Sequence, residues 1–265
     1  MAEPFVCIKV AVHDRRPLRM EAAILRQLRN PHFPNLILDG SPDGYLIEEL
    51  ILGERMSDRP SASLLHDLPR IAADLALILK SLSTLRPAAM HRDIKPNNLF
   101  LTGNGLVLLD FGSAEWEGKR TGWQVDPGHP KLGTGKYPYQ PIEQLTGDPA
   151  QDRRVDVFAG AAVIFEILTG QPPYPNQKPD LQQALDRVAE REAALNTLLS
   201  PFSADVRTAL LEGLRVDFRR RARFFDAIAA AIEDSLDFYG AAGNHHTPVS
   251  TTLETCGRRG PNGYQ

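Results

Sequence analysis

Cysteine is almost missing from this chain. Only Cys7 and Cys256 occur, too few and too far apart for a disulfide framework or a zinc site, so a reducing compartment, the cytoplasm, is expected. Long hydrophobic runs are missing too: no stretch of 18 or more apolar residues exists, which argues against a membrane-spanning helix. The opening MAEPFVCIKV lacks the charged-then-apolar order of a secretory signal. Neither charge sign is in surplus. A formal net charge of −3 gives no electrostatic ground for nucleic acid or an anionic membrane as partner. No internal repeat is visible.

What is present fits a soluble globular protein: 265 residues, 42% hydrophobic and 24% charged, enough for one large domain or two closely packed lobes. Residues 5–12 form a β-rich apolar run interrupted by Lys9, and residues 17–28 carry Leu18, Ala22, Leu25 and Leu28 at helical spacing. Two short apolar runs at 36–38 and 45–47 flank GSPDG, a turn-forming pentapeptide that predicts a hairpin. From Leu64 onward helices dominate. Leu68, Ile71, Ala72, Leu75, Ile78, Leu79 and Leu82 form one continuous buried face, and further helices are expected near 153–169, 180–199, 203–215 and 224–236. LTG followed by QPPYP marks a stop after the first of these. Residues 239–265 hold five glycines and two prolines with almost no apolar content, so a disordered tail is expected. His245 and His246 in that tail, with no nearby partners, read as solvated rather than as half of a metal site.

The most informative stretch is HRDIKPNN at residues 91–98, followed 12 residues beyond Asn98 by Asp110, Phe111 and Gly112. Between them two short apolar runs surround TGNG, predicting a hairpin that returns Asp110 to Asn98. Magnesium takes oxygen ligands and often shares them with substrate phosphates, so Asn98 and Asp110 suit a metal-bound nucleotide. Asp93 suits acceptance of a proton from an attacking hydroxyl, and Lys95 suits neutralising charge that grows on a transferred phosphoryl group. Phosphoryl transfer is the predicted chemistry, with Asp93, Lys95, Asn98 and Asp110 as its catalytic residues.

HRDIKPNN and DFG resemble the catalytic and metal-binding loops of eukaryotic-like (Hanks-type) protein kinases, and Lys95 resembles the serine/threonine branch found in bacteria. The resemblance implies an α+β, protein-kinase-like bilobal fold. Its small β-rich lobe, incomplete, would span 1–50, its mostly helical large lobe 51–237, with the tail at 238–265. It also implies ATP and Mg2+ as cofactors and a protein bearing Ser or Thr as substrate. VCIK resembles the strand motif VAIK, making Lys9 the partner of the nucleotide α- and β-phosphates, and EAAILRQLRNP marks Glu21 as its ion-pair mate. YLIEELILGE resembles the strand and hinge that join the lobes. Glu49 and the backbone around Leu50 would then meet the adenine edge, and Phe100 would join the nucleotide contacts. Glu48 falls behind the adenine, where an unpaired carboxylate is costly to bury; either it has a partner or the register slips by one.

Further matches run collinearly from Val6 to Arg221. GTGKYPYQPIEQL resembles the end of an activation segment, with PIE for the usual APE. Glu143 is then structural, with Arg221 of DFRRR as its salt-bridge partner. DVFAGAAVIFEILTG resembles the family's buried helix and gives Asp156 the task of holding the catalytic-loop backbone. Arg92 precedes the catalytic Asp, as in relatives whose activation segment is ordered by a phosphate. Ser113, Thr121 and Thr134 are candidate sites, Thr134 being alternatively an anchor bonded to Asp93 and Lys95. Autophosphorylation there would call for self-association.

The chain also departs from the pattern. Only five residues precede Val6, leaving no room for the glycine-rich loop that covers the phosphates, and a sheet edge beside residues 5–10 is expected to lie open. Three readings of that shortfall stand: a start assigned too late, a truncated kinase of low activity, and a catalytically impaired scaffold. A small-molecule phosphotransferase of related fold is a further alternative. The separation of Lys9 from Glu21 is shorter than usual, implying a trimmed loop or first helical turn that weakens the ion pair.

Overall fold

The computed structural model describes residues 5–118, 137–145, 148, 150–174 and 188–241. The chain opens with strand β1 (Val6–Val10), whose β-branched residues alternate with Cys7 and Lys9. Helix α1 (Arg16–Leu25) has Pro17 in its first turn, where a missing N–H is no loss because first-turn donors have no helical acceptor. It buries Leu18, Glu21, Ala22, Ile24 and Leu25. Strands β2 (Leu36–Gly40) and β3 (Tyr45–Glu49) follow, joined by a turn in which Gly44 takes a left-handed φ of 94°. The expected hairpin is therefore present.

These strands form an antiparallel sheet in the order β1-β3-β2. Cys7 stands opposite Glu48 and Lys9 opposite Leu46. The two-residue period places all four on one face. Val6, Ile8 and Val10 project from the other and are exposed. Among the described residues β1 is an edge strand, as expected.

Strand β4 (Glu54–Arg55) and helices α2 (Ser61–Leu64) and α3 (Leu68–Thr84) begin the second, larger part of the fold. The seven residues expected on the buried face of α3 are the seven it buries. Short β5 (Ala89–Met90) leads into the segment 91–98. Strands β6 (Leu99–Thr102) and β7 (Gly105–Leu108) make the second expected hairpin, and β6 also pairs with β4. Strand β8 (Glu115–Trp116) pairs with β5. Helices α4 (Ile142–Leu145), α5 (Arg154–Thr169), α6 (Val188–Leu198), α7 (Ala204–Gly213) and α8 (Asp226–Ala241) complete the described chain.

Helix α5 is apolar around most of its circumference and buried from Arg154 to Phe165. Gly160 lets the Phe225 ring approach so closely that an added Cβ would stand 2.8 Å from it. Gly170 ends the helix in a left-handed cap (φ 74°) whose N–H bonds to Glu166 O at 2.8 Å. This is the stop expected from LTG. Elsewhere the boundaries move. Helix α1 ends at Leu25, ahead of Asn30, whose side chain accepts from His32 N–H at 3.1 Å and so offers the backbone a turn in place of a further helical turn. Helix α8 runs to Ala241, into the first residues of the expected tail. Of the helix expected at 180–199, the part from Val188 is described. Thr121, Thr134, His245, His246 and Cys256 lie outside the described residues.

Candidate active site

The segment His91–Asn98 is held from below by α5. Asp156 accepts backbone hydrogen bonds from His91 (2.7 Å) and Arg92 (2.8 Å). Arg92 takes a left-handed φ of 66°, costly for a residue with a side chain, and the two bonds from Asp156 hold it there. Burial pushes the Asp156 carboxyl up to about 6, against the pull of those two N–H groups. His91 is fully buried and neutral, its pKa pushed down to about 4 first by burial. Its ring takes an N–H from Asp93 at Nδ1 (3.3 Å) and donates from Nε2 to Leu109 O (3.3 Å), so it tethers the loop to the residue that follows β7.

Asp93 is buried at 4% exposure. Both its oxygens accept from Lys95 Nζ (2.9 and 3.1 Å), and Asn98 Nδ2 reaches Asp93 Oδ2 at 3.1 Å and its backbone O at 2.8 Å. The three residues expected to work together are thus in one hydrogen-bonded group. The β6–β7 hairpin returns the chain as predicted, with Leu109 N–H bonding to Asn98 O at 2.9 Å. Asp110, next in sequence, adopts a left-handed φ of 67° and accepts from Gly112 N–H at 3.2 Å through one oxygen.

The nitrogen of Asn98 is committed to Asp93, which leaves its carbonyl oxygen for a hard cation, and Asp110 has a second oxygen to offer. Among the described residues no group of three or more His, Cys, Asp or Glu side chains is arranged to hold a metal. A cation here would therefore take its remaining ligands from phosphate and water.

Lys9 meets Glu21 at 2.6 Å despite the short connection between them. The expected weakening of this pair is thus corrected: Glu21, buried on α1, meets Lys9 of β1 directly. Glu21 Oε1 also accepts from Phe111 N–H at 3.1 Å, joining α1 to the Asp110–Gly112 turn. Phe111 is fully buried against Phe33 and His91. Of the two alternatives for Glu48, the structure supplies a partner: its Oε1 lies 2.8 Å from Lys9 Nζ. Burial would lower the Lys9 pKa, but Glu21 and Glu48 together raise it above the ordinary lysine value.

Of the remaining expected nucleotide contacts, Glu49 and Leu50 lie at the end of β3 and Phe100 on β6. The Glu49 side chain accepts from Asn35 Nδ2 at 2.7 Å, Leu50 is exposed, and the Phe100 ring centroid lies 5.4 Å from the Arg55 guanidinium carbon. Arg92 is engaged by Glu115 at 2.7 Å, a pairing that no motif in the sequence signalled, and Ser113 is exposed nearby. Gln144 Nε2 donates to Arg92 O at 2.6 Å. Arg221 and Glu143 form the expected pair at 2.5 Å, both fully or nearly fully buried.

The chain is 30% identical to Aurora kinase A-B of Xenopus laevis over 210 residues, covering 74% of this chain and 46% of that protein. It is 33% identical to serine/threonine-protein kinase PknD of Mycobacterium tuberculosis over 170 residues, 60% of this chain and 24% of that protein. It therefore spans less than half the length of either relative. The crystal structure of the Rad53 kinase domain and SCD2 in complex with AMPPNP matches with a TM-score of 0.58 at 19% identity, covering 87% of this chain and 80% of that one, a likeness of fold. The protein kinase domain pattern runs through residues 5–230, and the chain belongs to the protein kinase domain family.

Proposed function

We propose that this chain is the catalytic part of a serine/threonine protein kinase that moves the γ-phosphate of Mg-ATP to a protein hydroxyl. The observation that carries this reading is the hydrogen-bonded group of buried Asp93 and Asn98 with half-buried Lys95, toward which the β6–β7 hairpin returns Asp110. Asp93 accepts the proton of the substrate hydroxyl as its oxygen bonds to the γ-phosphorus and the bond to the ADP oxygen breaks. Lys95, already on Asp93, neutralises charge on the phosphoryl group in flight. Asn98 and Asp110 would hold magnesium through their oxygens, and the cation would supply positive charge to offset that of the phosphates.

Lys9, oriented by Glu21, meets the α- and β-phosphates. Glu49, Leu50 and Phe100 border the base, and the lobes divide near residue 50. A cytoplasmic setting belongs to the same proposal, supported by the scarcity of cysteine in the sequence. Among the described residues no helix is long and apolar enough to cross a membrane. Incubation with γ-labelled Mg-ATP and a generic basic protein should place label on serine or threonine. Label on tyrosine alone, or none, rejects the reading.

A further inference from the structure

Glu48 is the residue of this site that the proposed chemistry leaves unused. It is 3% exposed, sits on the same sheet face as Lys9, and has one oxygen 2.8 Å from Lys9 Nζ. Its other oxygen, Oε2, is buried with no hydrogen-bond partner among the described residues. Lys9 thus lies between two buried carboxylates, Glu21 at 2.6 Å and Glu48, and Asp110 is close enough for its charge to be felt at Glu48. One ammonium lies between two carboxylates, so the place where phosphates are to be gripped is net negative.

That charge bears on which form of nucleotide the site accepts. With only Glu21 on Lys9, the pair would be neutral and its spare N–H donors open to any phosphate. Glu48 takes one of those donors and adds a negative charge. A nucleoside triphosphate carries about four negative charges when free and about two with a divalent cation bound, so the same field repels the free form about twice as strongly in energy. We propose that Glu48 is a specificity-determining residue, which makes the site discriminate against metal-free nucleoside triphosphate in favour of its divalent-metal complex. This rests on the reading of Lys9 as the phosphate partner.

The test is equilibrium binding of ATP, by calorimetry, with excess magnesium and separately with a chelator, to the wild-type chain, Glu48→Gln and Glu48→Met. Gln keeps the size and an acceptor for Lys9, whereas Met also removes the orphaned oxygen. The ratio of the two affinities cancels any change in the hydrogen bonding of Lys9 common to both ligand forms. Removing one negative charge near the phosphates should tighten metal-free ATP on the order of tenfold and Mg-ATP about threefold, so the preference for the complex falls about threefold. Wild-type binding with an unchanged or larger preference in both variants overturns the proposal while leaving the kinase reading in place. If the wild-type chain binds ATP in neither condition, the reading and the proposal fall together.

Discussion

Arg221→Met should be among the most destabilising single changes in this chain. The Arg221 side chain is fully buried and that of Glu143 is 2% exposed. The guanidinium donates to Glu143 at 2.5 and 3.3 Å, to Arg215 O at 2.7 and 2.9 Å and to Arg154 O at 3.0 Å. Removing one partner of a buried pair costs about 3–5 kcal/mol, because the other is left as an uncompensated buried charge. Methionine keeps apolar contact with Phe158, whose ring centroid lies 4.8 Å from the guanidinium carbon, so about 4 kcal/mol is expected. In the double variant Glu143→Met/Arg221→Met no charge is stranded. Two carbonyls lose a donor, at about 1 kcal/mol each, and the total falls to about 2 kcal/mol. Urea unfolding followed by circular dichroism measures all of these, and the cycle should show strong coupling. A cost below about 1 kcal/mol for Arg221→Met, or single costs that simply add, refutes the reasoning.

Acid should act through two buried groups of opposite sign. His91 is pushed down to about 4, so its contribution to stability is complete above its unfolded value near 6.5 and is lost as pH falls through 4, about 3 kcal/mol in all. Asp156 is pushed up to about 6, so its contribution is complete below its unfolded value near 3.8 and is lost as pH rises through 6. The slopes oppose each other between roughly pH 4 and 6, and His91→Gln should expose the Asp156 slope as a relative gain in stability on acidification. An unchanged pH profile contradicts this. Asp110→Ala should abolish the magnesium-dependent part of the thermal shift given by ATP, and an undiminished shift removes Asp110 from the metal site.

Much of this was legible before any coordinates. The face of α3, the two hairpins and the LTG stop follow from periodicity and turn chemistry, all local in the sequence, whereas the Arg221–Glu143 pair, 78 residues apart, rests on the family resemblance. The gathering of Asp93, Lys95 and Asn98 is local too, because Pro96 and a short loop leave them few ways to separate. Glu48 was recognisable as a buried carboxylate in need of a partner, but which cation answered it depended on the β1–β3 register, a non-local fact. The Arg92–Glu115 pair and the double use of Glu21 by Lys9 and Phe111 were equally out of reach. Each joins elements distant in sequence, through side chains whose identities alone would suit any exposed surface.

The central claim is that Asp93 serves the chemical step and not the binding of nucleotide, and Asp93→Asn tests it most directly. The change keeps side-chain size and an acceptor for Lys95 while removing the proton acceptor. Binding of Mg-ATP by calorimetry and transfer of labelled phosphate to a basic protein are measured on the same preparations. The account predicts affinity within about twofold of wild type and transfer slower by at least about 100-fold. Transfer by Asp93→Asn at a rate close to that of wild type would contradict it.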